Sequence, residues 1–370
     1  MKYLLTFKPL GHFFFGNERT FREDYVARSE YFPQPTQVLG ALRLTLAQQY
    51  GLIKQYRNGR YTKRPRELQA LTGTAKADTF MSNDDLGKIG MISPMFIVYR
   101  SLEDALFPTP FDVHAQIGYG MGSVMTDTGE IVPVAYPQKV SLSYLTLSHI
   151  GPHYYLDGYD AKGHAPQMLG NSAFWKAYMG EEERAINAVF VYEHTSEHKG
   201  VFVPHTQVGI ALEAKQTIAG KFYAKQDYTL REGFLFACVL ELDGEIREDF
   251  VQLGAEGSLF RMEVHPLSQT GVADHPVVSA LLQPRSGGTK LVAISEMMAE
   301  DTAAQPVYFS LIPYLRQRAE LKSQKGRFLG VHTVKNTIPA GSVFYPKDGQ
   351  MLDLVQGAYA KMGYNRYISL

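Results

Sequence analysis

Short segments with the residue content of β-strands recur along the whole sequence, whereas only a few segments have helical spacing. The first of them, residues 2–8, contains Tyr, Thr and Phe and ends at Pro9. Strands interrupted by isolated helices, without the regular alternation that a parallel sheet requires, predict an α+β fold. The further strand candidates are residues 89–99, 189–192, 207–212, 233–242, 258–265, 291–294, 307–312, 328–334 and 342–345. The helix candidates are residues 36–50, 173–188, 277–282 and 350–362.

The length of 370 residues suggests two domains, since a typical domain has about 150 residues. We place the boundary near residue 185, just before the second series of strand candidates. The predicted domains are therefore residues 1–185 and residues 186–370. Residues 112–170, rich in glycine and proline, remain unassigned.

Charge and cysteine content narrow the class of protein. The 37 basic residues balance the 37 acidic ones, so a site for a polyanion must be a local patch. The single cysteine, Cys238, lies in an apolar run and can form no internal disulfide, which agrees with a reducing cytoplasm. The N-terminus lacks the features of a signal peptide, and no apolar window approaches the roughly 18 residues of a membrane span. We expect a soluble, cytoplasmic protein.

A basic segment at residues 54–66 is the strongest local patch. The guanidinium group of arginine binds phosphate through two parallel N–H donors, and tyrosine rings stack on bases. The segment is therefore a candidate RNA contact. The alternative, a solvated basic connection, stays open. A second basic cluster precedes the strand candidate at residues 328–334. The arginines and tyrosines of the first segment are Arg57, Arg60, Arg64, Arg66, Tyr56 and Tyr61. The second cluster comprises Arg316, Arg318, Lys322, Lys325 and Arg327.

Familiar catalytic and metal motifs are missing from the sequence. It contains neither the Gly-x-Ser-x-Gly pattern of a nucleophile elbow nor the His-Glu-x-x-His pattern of a zinc protease. The pair His194 and His198 has helical spacing but lacks a third nearby ligand. The glycines at residues 118–122 are not followed by the Lys-Ser/Thr of a phosphate-binding loop. We therefore expect no cofactor, no metal and no catalysis.

Ordered motifs are more specific than any of these features. The first half contains Phe-Lys-Pro-Leu at 7–10, Phe-Gly-Asn-Glu-Arg-Thr-Phe at 15–21 and Phe-Pro-Gln-Pro-Thr-Gln-Val-Leu-Gly-Ala-Leu-Arg at 32–43. The second half contains Val-Gly-Ile-Ala-Leu at 208–212, Gly-Lys-Phe-Tyr at 220–223, Tyr-Thr-Leu-Arg at 228–231, Leu-Gly-Ala-Glu-Gly at 253–257, Ile-Pro-Ala-Gly-Ser-Val-Phe-Tyr at 338–345 and Met-Gly-Tyr-Asn-Arg-Tyr at 362–367. In this order they resemble the RAMP superfamily of CRISPR proteins, and especially the type III-B (Cmr) subunit that binds the 5′ handle of the guide RNA (crRNA).

The resemblance implies two ferredoxin-like (RRM-like) domains with long loop insertions. It also implies a non-catalytic RNA-binding subunit whose partners are the crRNA, other RAMP subunits and the large polymerase-like subunit in antiviral defence. A single-stranded handle suits such a protein, because its bases can splay and stack on aromatic rings. Ala255 and Asn365 stand where the family has glycine. Asparagine tolerates the left-handed backbone region, whereas alanine would be strained there.

The expected RNA contacts follow these motifs. The start of the first helix, for which Thr36 is the predicted N-cap and Gly51 the C-terminal glycine, presents free N–H groups to phosphate. The glycine loops would grip the RNA or, on the alternative view, be plain tight turns. Glu256 would orient a neighbouring arginine. The RNA-binding candidates are Asn17, Arg19, Thr36, Gln37, Arg43, Arg57, Arg60, Arg64, Gly254, Glu256, Gly257, Gly363, Tyr364 and Arg366.

Two other functions compete with an RNA-holding subunit. Some RAMP proteins are metal-independent endonucleases that process guide-RNA precursors with His or Tyr as general acid and base, and His12 is the best candidate here. A purely structural bridge to the polymerase-like subunit is the other alternative. Loss of cleavage in His12→Ala and charge reversal at Arg57, Arg60 and Arg64 would separate the three.

Overall fold

The computed structural model of this chain contains both helices and strands. It describes residues 1–16, 25–53, 66–75, 83–110, 123–125, 131–133, 147–150, 153–156, 168–180, 188–190, 200–213, 216–283, 288, 290–298, 307–312, 316–324, 327–346 and 357–370. The helices are α1 (Pro35–Gln49), α2 (Arg66–Thr72), α3 (Ser172–Gly180), α4 (Pro276–Leu282) and α5 (Gly357–Met362).

Within the described residues the strands are more numerous than the helices. In the first half they are β1 (Lys2–Pro9), β2 (Tyr25–Arg28), β3 (Ile89–Ile92), β4 (Phe96–Tyr99), β5 (Ala105–Pro108), β6 (Ser123–Met125), β7 (Ile131–Pro133), β8 (Leu147–Ile150), β9 (His153–Leu156) and β10 (Met168–Gly170). In the second half they are β11 (Ala188–Phe190), β12 (Phe202–Glu213), β13 (Gln216–Leu230), β14 (Phe234–Leu242), β15 (Asp249–Gln252), β16 (Leu259–Pro266), β17 (Leu291–Ala293), β18 (Met297–Met298), β19 (Val307–Ile312), β20 (Arg316–Gln324), β21 (Arg327–Ile338), β22 (Val343–Pro346) and β23 (Tyr367–Ser369).

One large antiparallel sheet organises the molecule. Its strand order is β11-β10-β5-β4-β14-β1-β16-β15, and β3 also pairs with β14. The first strand lies near the middle, with β14 on one side and β16 on the other. A second sheet has the order β23-β17-β22-β19-β9-β8. The mostly antiparallel pairing confirms the predicted α+β class.

The large sheet joins strands from both sides of residue 185, because β1 pairs with β14 in register from Lys2–Glu241 to Phe7–Phe236. A cut at residue 185 would separate these hydrogen-bonded neighbours. The division into two ferredoxin-like domains stays a prediction.

Both faces of this sheet are buried in its middle. Along β14, Phe236 and Cys238 belong to a core that α1 covers, whereas Leu235 and Ala237 belong to a second core with α3 and α4. Because side chains alternate between faces, a strand covered on both sides has to be apolar throughout. Burial raises the pKa of the Cys238 thiol to about 12, so this cysteine is a packing residue.

Helix α1 has clear signals at both ends. It begins at Pro35, whose fixed φ suits the first helical position, and Gln34 is the N-cap residue. The Gln34 N–H donates to the Gln37 Oε1 at 2.9 Å. The prediction of Thr36 as N-cap was wrong by two residues, since Thr36 already lies within the helix. At the other end Gly51 has φ +65°, as a C-terminal glycine requires.

Two long hairpins belong to three-stranded sheets of their own, β12-β13-β2 and β18-β21-β20. Strand β12 pairs with β13 from Phe202–Leu230 to Glu213–Gln216, and β2 adds to β13 in parallel. Strand β20 pairs with β21, so Arg316, Arg318 and Lys322 of the second basic cluster lie on the first strand of a hairpin and Arg327 begins the second strand. Lys325 lies outside the described residues. The helix expected at residues 173–188 is shorter, because α3 ends at Gly180. In the part of the chain that the structure describes, no helix is long and apolar enough to cross a bilayer.

Candidate nucleic-acid interface

The loop that follows β1 is held between three parts of the fold. Phe13 and Phe15 are buried, whereas Phe14 between them is half-buried. The Phe13 N–H donates to the Tyr228 carbonyl of β13 at 2.8 Å. The Phe15 N–H donates to the Ser29 hydroxyl at 2.8 Å, in the segment before α1. Alternate burial of three successive phenylalanines therefore fixes this loop and turns the middle ring outward.

The predicted Leu-Gly-Ala-Glu-Gly turn connects β15 with β16 and packs on the same loop. We call residues 253–258 the glycine turn. The Ala255 N–H donates to the Phe14 carbonyl at 2.9 Å, and the Ser258 hydroxyl accepts from the Phe14 N–H at 3.0 Å. Gly254 has φ +93°, and a Cβ there would stand 2.7 Å from the Phe14 carbonyl oxygen. The close approach of two backbones explains why glycine occupies this position.

The strain expected at Ala255 falls one residue later. The structure gives positive φ to Gly254, Glu256 and Gly257 but not to Ala255. Glu256, at φ +55°, is thus a non-glycine residue in the left-handed region. The replacement of the family's glycine by Ala255 leaves the turn intact.

A lysine on β13 completes the surface beside the turn. Lys225 pairs with the exposed Glu256 and lies 3.4 Å from the buried Asp227. Its ammonium also stands 5.1 Å from the centre of the Phe14 ring. Partial burial lowers the pKa of Lys225, but the hydrogen bond and charge of Glu256, together with Asp227, outweigh it and raise the pKa above its usual value. Glu256 therefore orients a lysine, where the sequence suggested an arginine.

His12 joins the same cluster from the loop side. Its Nδ1 lies 2.9 Å from the Asp227 Oδ1, and the side chain is 47% exposed whereas Asp227 is 2% exposed. The ring packs against His205 with centroids 4.1 Å apart. His205 Nε2 is 3.1 Å from the Thr229 hydroxyl. We call residues 12–16, the glycine turn, Lys225 and Asp227 the loop junction.

Two of the three candidates on α1, Gln37 and Arg43, make hydrogen bonds within the fold. Gln37 accepts the Gln34 N–H, as described above. Arg43 donates from one terminal nitrogen to the Ala75 carbonyl at 2.7 Å and from the other to the Asp85 carbonyl at 3.5 Å. Thr36 is half-buried. Arg43 thus ties α1 to the segment after α2.

The C-terminal motif is buried instead of forming a surface. Tyr364 is 3% exposed and Arg366 is 7% exposed. The Arg366 Nε donates to the Ala360 carbonyl at 2.9 Å, and burial lowers the pKa of this guanidinium. A Cβ on Gly363, at φ +101°, would stand 2.8 Å from the Pro94 nitrogen. These residues are packed in the fold of this structure, and their contact with RNA stays a prediction.

Asn365 behaves as its residue type predicts. It adopts φ +53°, and its Oδ1 accepts the Met298 N–H at 2.8 Å. The terminal turn therefore forms without the family's second glycine.

Five candidates, Asn17, Arg19, Arg57, Arg60 and Arg64, lie outside the described residues. Among the residues that are described, no cluster of three His, Cys, Asp or Glu side chains is arranged to hold a metal.

Sequence reasoning missed Lys225 and Asp227. They occupy alternate positions on β13, so they share one face of the strand, and the motif at residues 228–231 follows them directly. An i, i+2 pair of opposite charges beside a matched motif is the signal that could have identified them.

A comparison with protein families gives one match over nearly the whole chain. The model described as CRISPR-associated protein (Cas_Cmr3) matches residues 5–368. No curated protein matches the sequence.

Solved structures give more distant similarities. A chain in the cryo-EM structure of the Type III-B Cmr-beta bound to cognate target RNA has 12% identity and a TM-score of 0.47, and the match covers 100% of this chain and 96% of that chain. A chain in the crystal structure of the Csm3-Csm4 subcomplex in the type III-A CRISPR-Cas interference complex has 9% identity and a TM-score of 0.36, with 94% of this chain and 93% of that chain covered. Because the family model spans almost every residue, the chain belongs to the Cas_Cmr3 family, the RAMP subunits of type III-B CRISPR effector complexes.

Proposed function

We propose that this chain is a non-catalytic subunit that holds the 5′ handle of the guide RNA at the loop junction. The observation that carries the proposal is the meeting of the first loop, the glycine turn and Lys225 on one surface. Within the effector complex, the protein also contacts the large polymerase-like subunit and other RAMP subunits.

The loop junction has the chemistry that single-stranded RNA needs. Gly257 is exposed, and a Cβ there would meet no atom within 4 Å, so a phosphate can approach its backbone. The half-buried Phe14 ring offers a stacking surface, and His12 offers a second exposed ring. Unpaired bases with free edges are the form of RNA that such surfaces recognise.

The ion pair between Lys225 and Glu256 neutralises the lysine charge at this surface as long as no RNA is bound. An RNA phosphate can replace the Glu256 carboxylate, which is 56% exposed and able to swing into solvent. Asp227 stays with Lys225 and His12 because it is buried. The two carboxylates thus position Lys225 before RNA binds. On binding, a phosphate takes the place of Glu256 beside the ammonium, while Asp227 stays in place.

Lys225→Ala tests this proposal. We expect the dissociation constant for handle RNA to rise at least about tenfold, because a hydrogen bond to a charged group contributes roughly 1.5–3 kcal/mol and 1.4 kcal/mol corresponds to a factor of ten. The measurement is fluorescence anisotropy with labelled handle RNA at two salt concentrations, since one lost phosphate contact also lowers the salt dependence.

Lys2→Ala is the matched control, because Lys2 is exposed at the opposite end of β1. A scrambled RNA of equal length distinguishes handle recognition from general affinity. Equal affinities of the Lys225→Ala and Lys2→Ala proteins for handle RNA would contradict the proposal.

The geometry of His12 keeps endonuclease activity as a second candidate. Asp227 orients the imidazole through Nδ1, which is how a general base is commonly positioned. Incubation of the protein with repeat RNA decides between the two functions. Specific cleavage that is lost in His12→Ala would establish the nuclease, whereas intact RNA that remains bound supports the holding role.

A further inference from the structure

The hydrogen bonding of His12 leaves one ring nitrogen for a ligand. Within the described residues, the ring makes its hydrogen bond through Nδ1, which lies 2.9 Å from the Asp227 Oδ1. Asp227 also lies 3.4 Å from the Lys225 ammonium, so it is present as a carboxylate, which can only accept hydrogen bonds. The proton of a neutral His12 is therefore on Nδ1, and Nε2 carries a lone pair.

The protonation state of His12 decides whether Nε2 can bind a phosphate. A neutral ring presents an acceptor at Nε2, and a phosphate oxygen is also an acceptor, so the two repel each other. An imidazolium presents an N–H there instead, which can donate a charge-assisted hydrogen bond to phosphate. Histidine changes between these two forms near neutral pH. The side chain is 47% exposed, so RNA can reach it.

The charges around His12 make an added proton favourable for RNA binding. Within the described residues, the titratable and charged groups around the ring come from β13, β12 and the glycine turn: Asp227 and Lys225, His205, and Glu256 beyond Lys225. One ammonium stands beside two carboxylates when both imidazoles are neutral. A phosphate meets a net negative cluster in that state, whereas one proton on His12 brings the cluster to neutrality.

The surroundings of the two imidazoles distinguish His12 from His205. A carboxylate beside His12 compensates the charge of an imidazolium, whereas His205 Nε2 lies 3.1 Å from the uncharged Thr229 hydroxyl. The two ring centroids are 4.1 Å apart, so a second positive charge on His205 would be repelled by the first. The added proton therefore belongs on His12.

We propose that His12 binds an RNA phosphate as an imidazolium, through Nε2, and that binding of the guide RNA is coupled to the uptake of one proton. Asp227 is the positioning residue, because it holds the ring through Nδ1 and compensates the added charge. The inference rests on the RNA-holding role proposed above and adds a second phosphate contact beside Lys225. Since RNA binds the protonated form, RNA affinity increases as the pH falls, and bound RNA increases proton binding.

Isothermal titration calorimetry measures the proton uptake on the unsubstituted protein. Handle RNA is titrated at about pH 7.5, where histidine is mostly neutral, in buffers that differ in their enthalpy of ionisation. The RNA carries hydroxyl groups at both ends, because a terminal phosphate would itself change protonation near this pH. We expect an uptake of roughly 0.5–1 proton per RNA bound, from the dependence of the heat on the buffer. No uptake, or a release of protons, would overturn the proposal.

The pH dependence of RNA affinity assigns the proton to His12. With the same RNA and a pH-insensitive fluorophore, we expect the dissociation constant of the unsubstituted protein to fall about tenfold between about pH 8 and pH 6, because one charge-assisted contact is gained. His12→Asn retains an N–H that can bond to Asp227 but has no group that titrates in this range. We expect its affinity to be independent of pH.

His265→Asn is the matched control. His265 lies opposite Leu4, at the far end of β16 from the glycine turn. This variant should keep the full pH dependence of the unsubstituted protein. An equal pH dependence in His12→Asn would show that another group binds the proton and would contradict the assignment to His12.

These measurements also separate the inference from the proposed function. Tight binding of handle RNA without proton uptake would refute the imidazolium contact and leave His12 as a stacking ring beside Lys225. Failure of the proposed function has a different signature, because Lys225→Ala and Lys2→Ala then bind handle RNA equally, whatever the proton uptake.

Discussion

The glycine turn and the C-terminal loop, residues 362–367, share left-handed backbone positions but lie in opposite environments. The first contains two positive-φ glycines and the second contains one, Gly363, and each has one non-glycine residue in the left-handed region, Glu256 in the first and Asn365 in the second. Glu256 is exposed and pairs with Lys225, whereas Asn365 is buried and binds the Met298 N–H. The same left-handed backbone conformation thus lies at the surface in the glycine turn and in the core in the C-terminal loop.

The difference shows what a glycine-rich motif does and does not reveal. Positive φ explains why glycine is required, but a ligand and a neighbouring backbone impose the same requirement. At Gly363 the neighbour is the backbone of Ser93 and Pro94, and at Gly257 the space is open. Burial of the flanking side chains, which the motif does not encode, separates the two cases.

Replacing one glycine in each loop by alanine should give the largest difference in stability between the two loops. We expect Gly363→Ala to lower the free energy of unfolding by about 3 kcal/mol or more, from backbone strain and overpacking together. Gly257→Ala should cost about 1 kcal/mol, because only the strain remains. Urea denaturation of both proteins measures the difference. Equal losses would mean that the C-terminal loop is not packed as described.

Removing the buried arginine should have the next largest effect. Arg366→Leu leaves the Ala360 carbonyl without the Nε donor, and we expect a loss of about 2–3 kcal/mol of stability. Handle RNA affinity of the folded protein should stay unchanged in an anisotropy titration. A large loss of RNA affinity in a protein of normal stability would restore Arg366 as a direct contact.

Exchanging the two left-handed residues for glycine should have the smallest effects, and they should differ between the loops. Asn365→Gly removes the acceptor of the buried Met298 N–H, so we expect a loss of about 1–2 kcal/mol. Glu256→Gly relieves strain but gives the unfolded chain more freedom, so its stability should change by less than about 1 kcal/mol. Thermal unfolding of the pair provides the test. A greater loss in Glu256→Gly would reverse the assignment of surface and core.

Local signals were sufficient for α1 and for several strands. The helix was predicted from its apolar spacing and from Gly51, and its start differs because Pro35 and Gln37 organise the first turn. Asn365 was correctly expected to tolerate a left-handed turn. Each of these features depends on residues close together in the sequence.

The candidate site was predicted only in part, because it also depends on residues that are far apart in the sequence. Motifs pointed to the first loop and the glycine turn, and the structure brings both together. Lys225 and Asp227 were missed, because their meeting with His12 depends on a contact 215 residues away in the chain. The burial of Arg366 could not be predicted from the sequence either, since an arginine is exposed in most proteins.

The position of β1 has a consequence for synthesis of the chain. Its two neighbours in the sheet end at Leu242 and Pro266, more than two hundred residues after β1 itself. At roughly 5–20 residues per second, a ribosome needs about 10–50 s to deliver them. During that time the first strand leaves the exit tunnel without its partners and exposes Leu4, Leu5 and Phe7. The centre of the sheet therefore closes only after β14 and β16 have been synthesised.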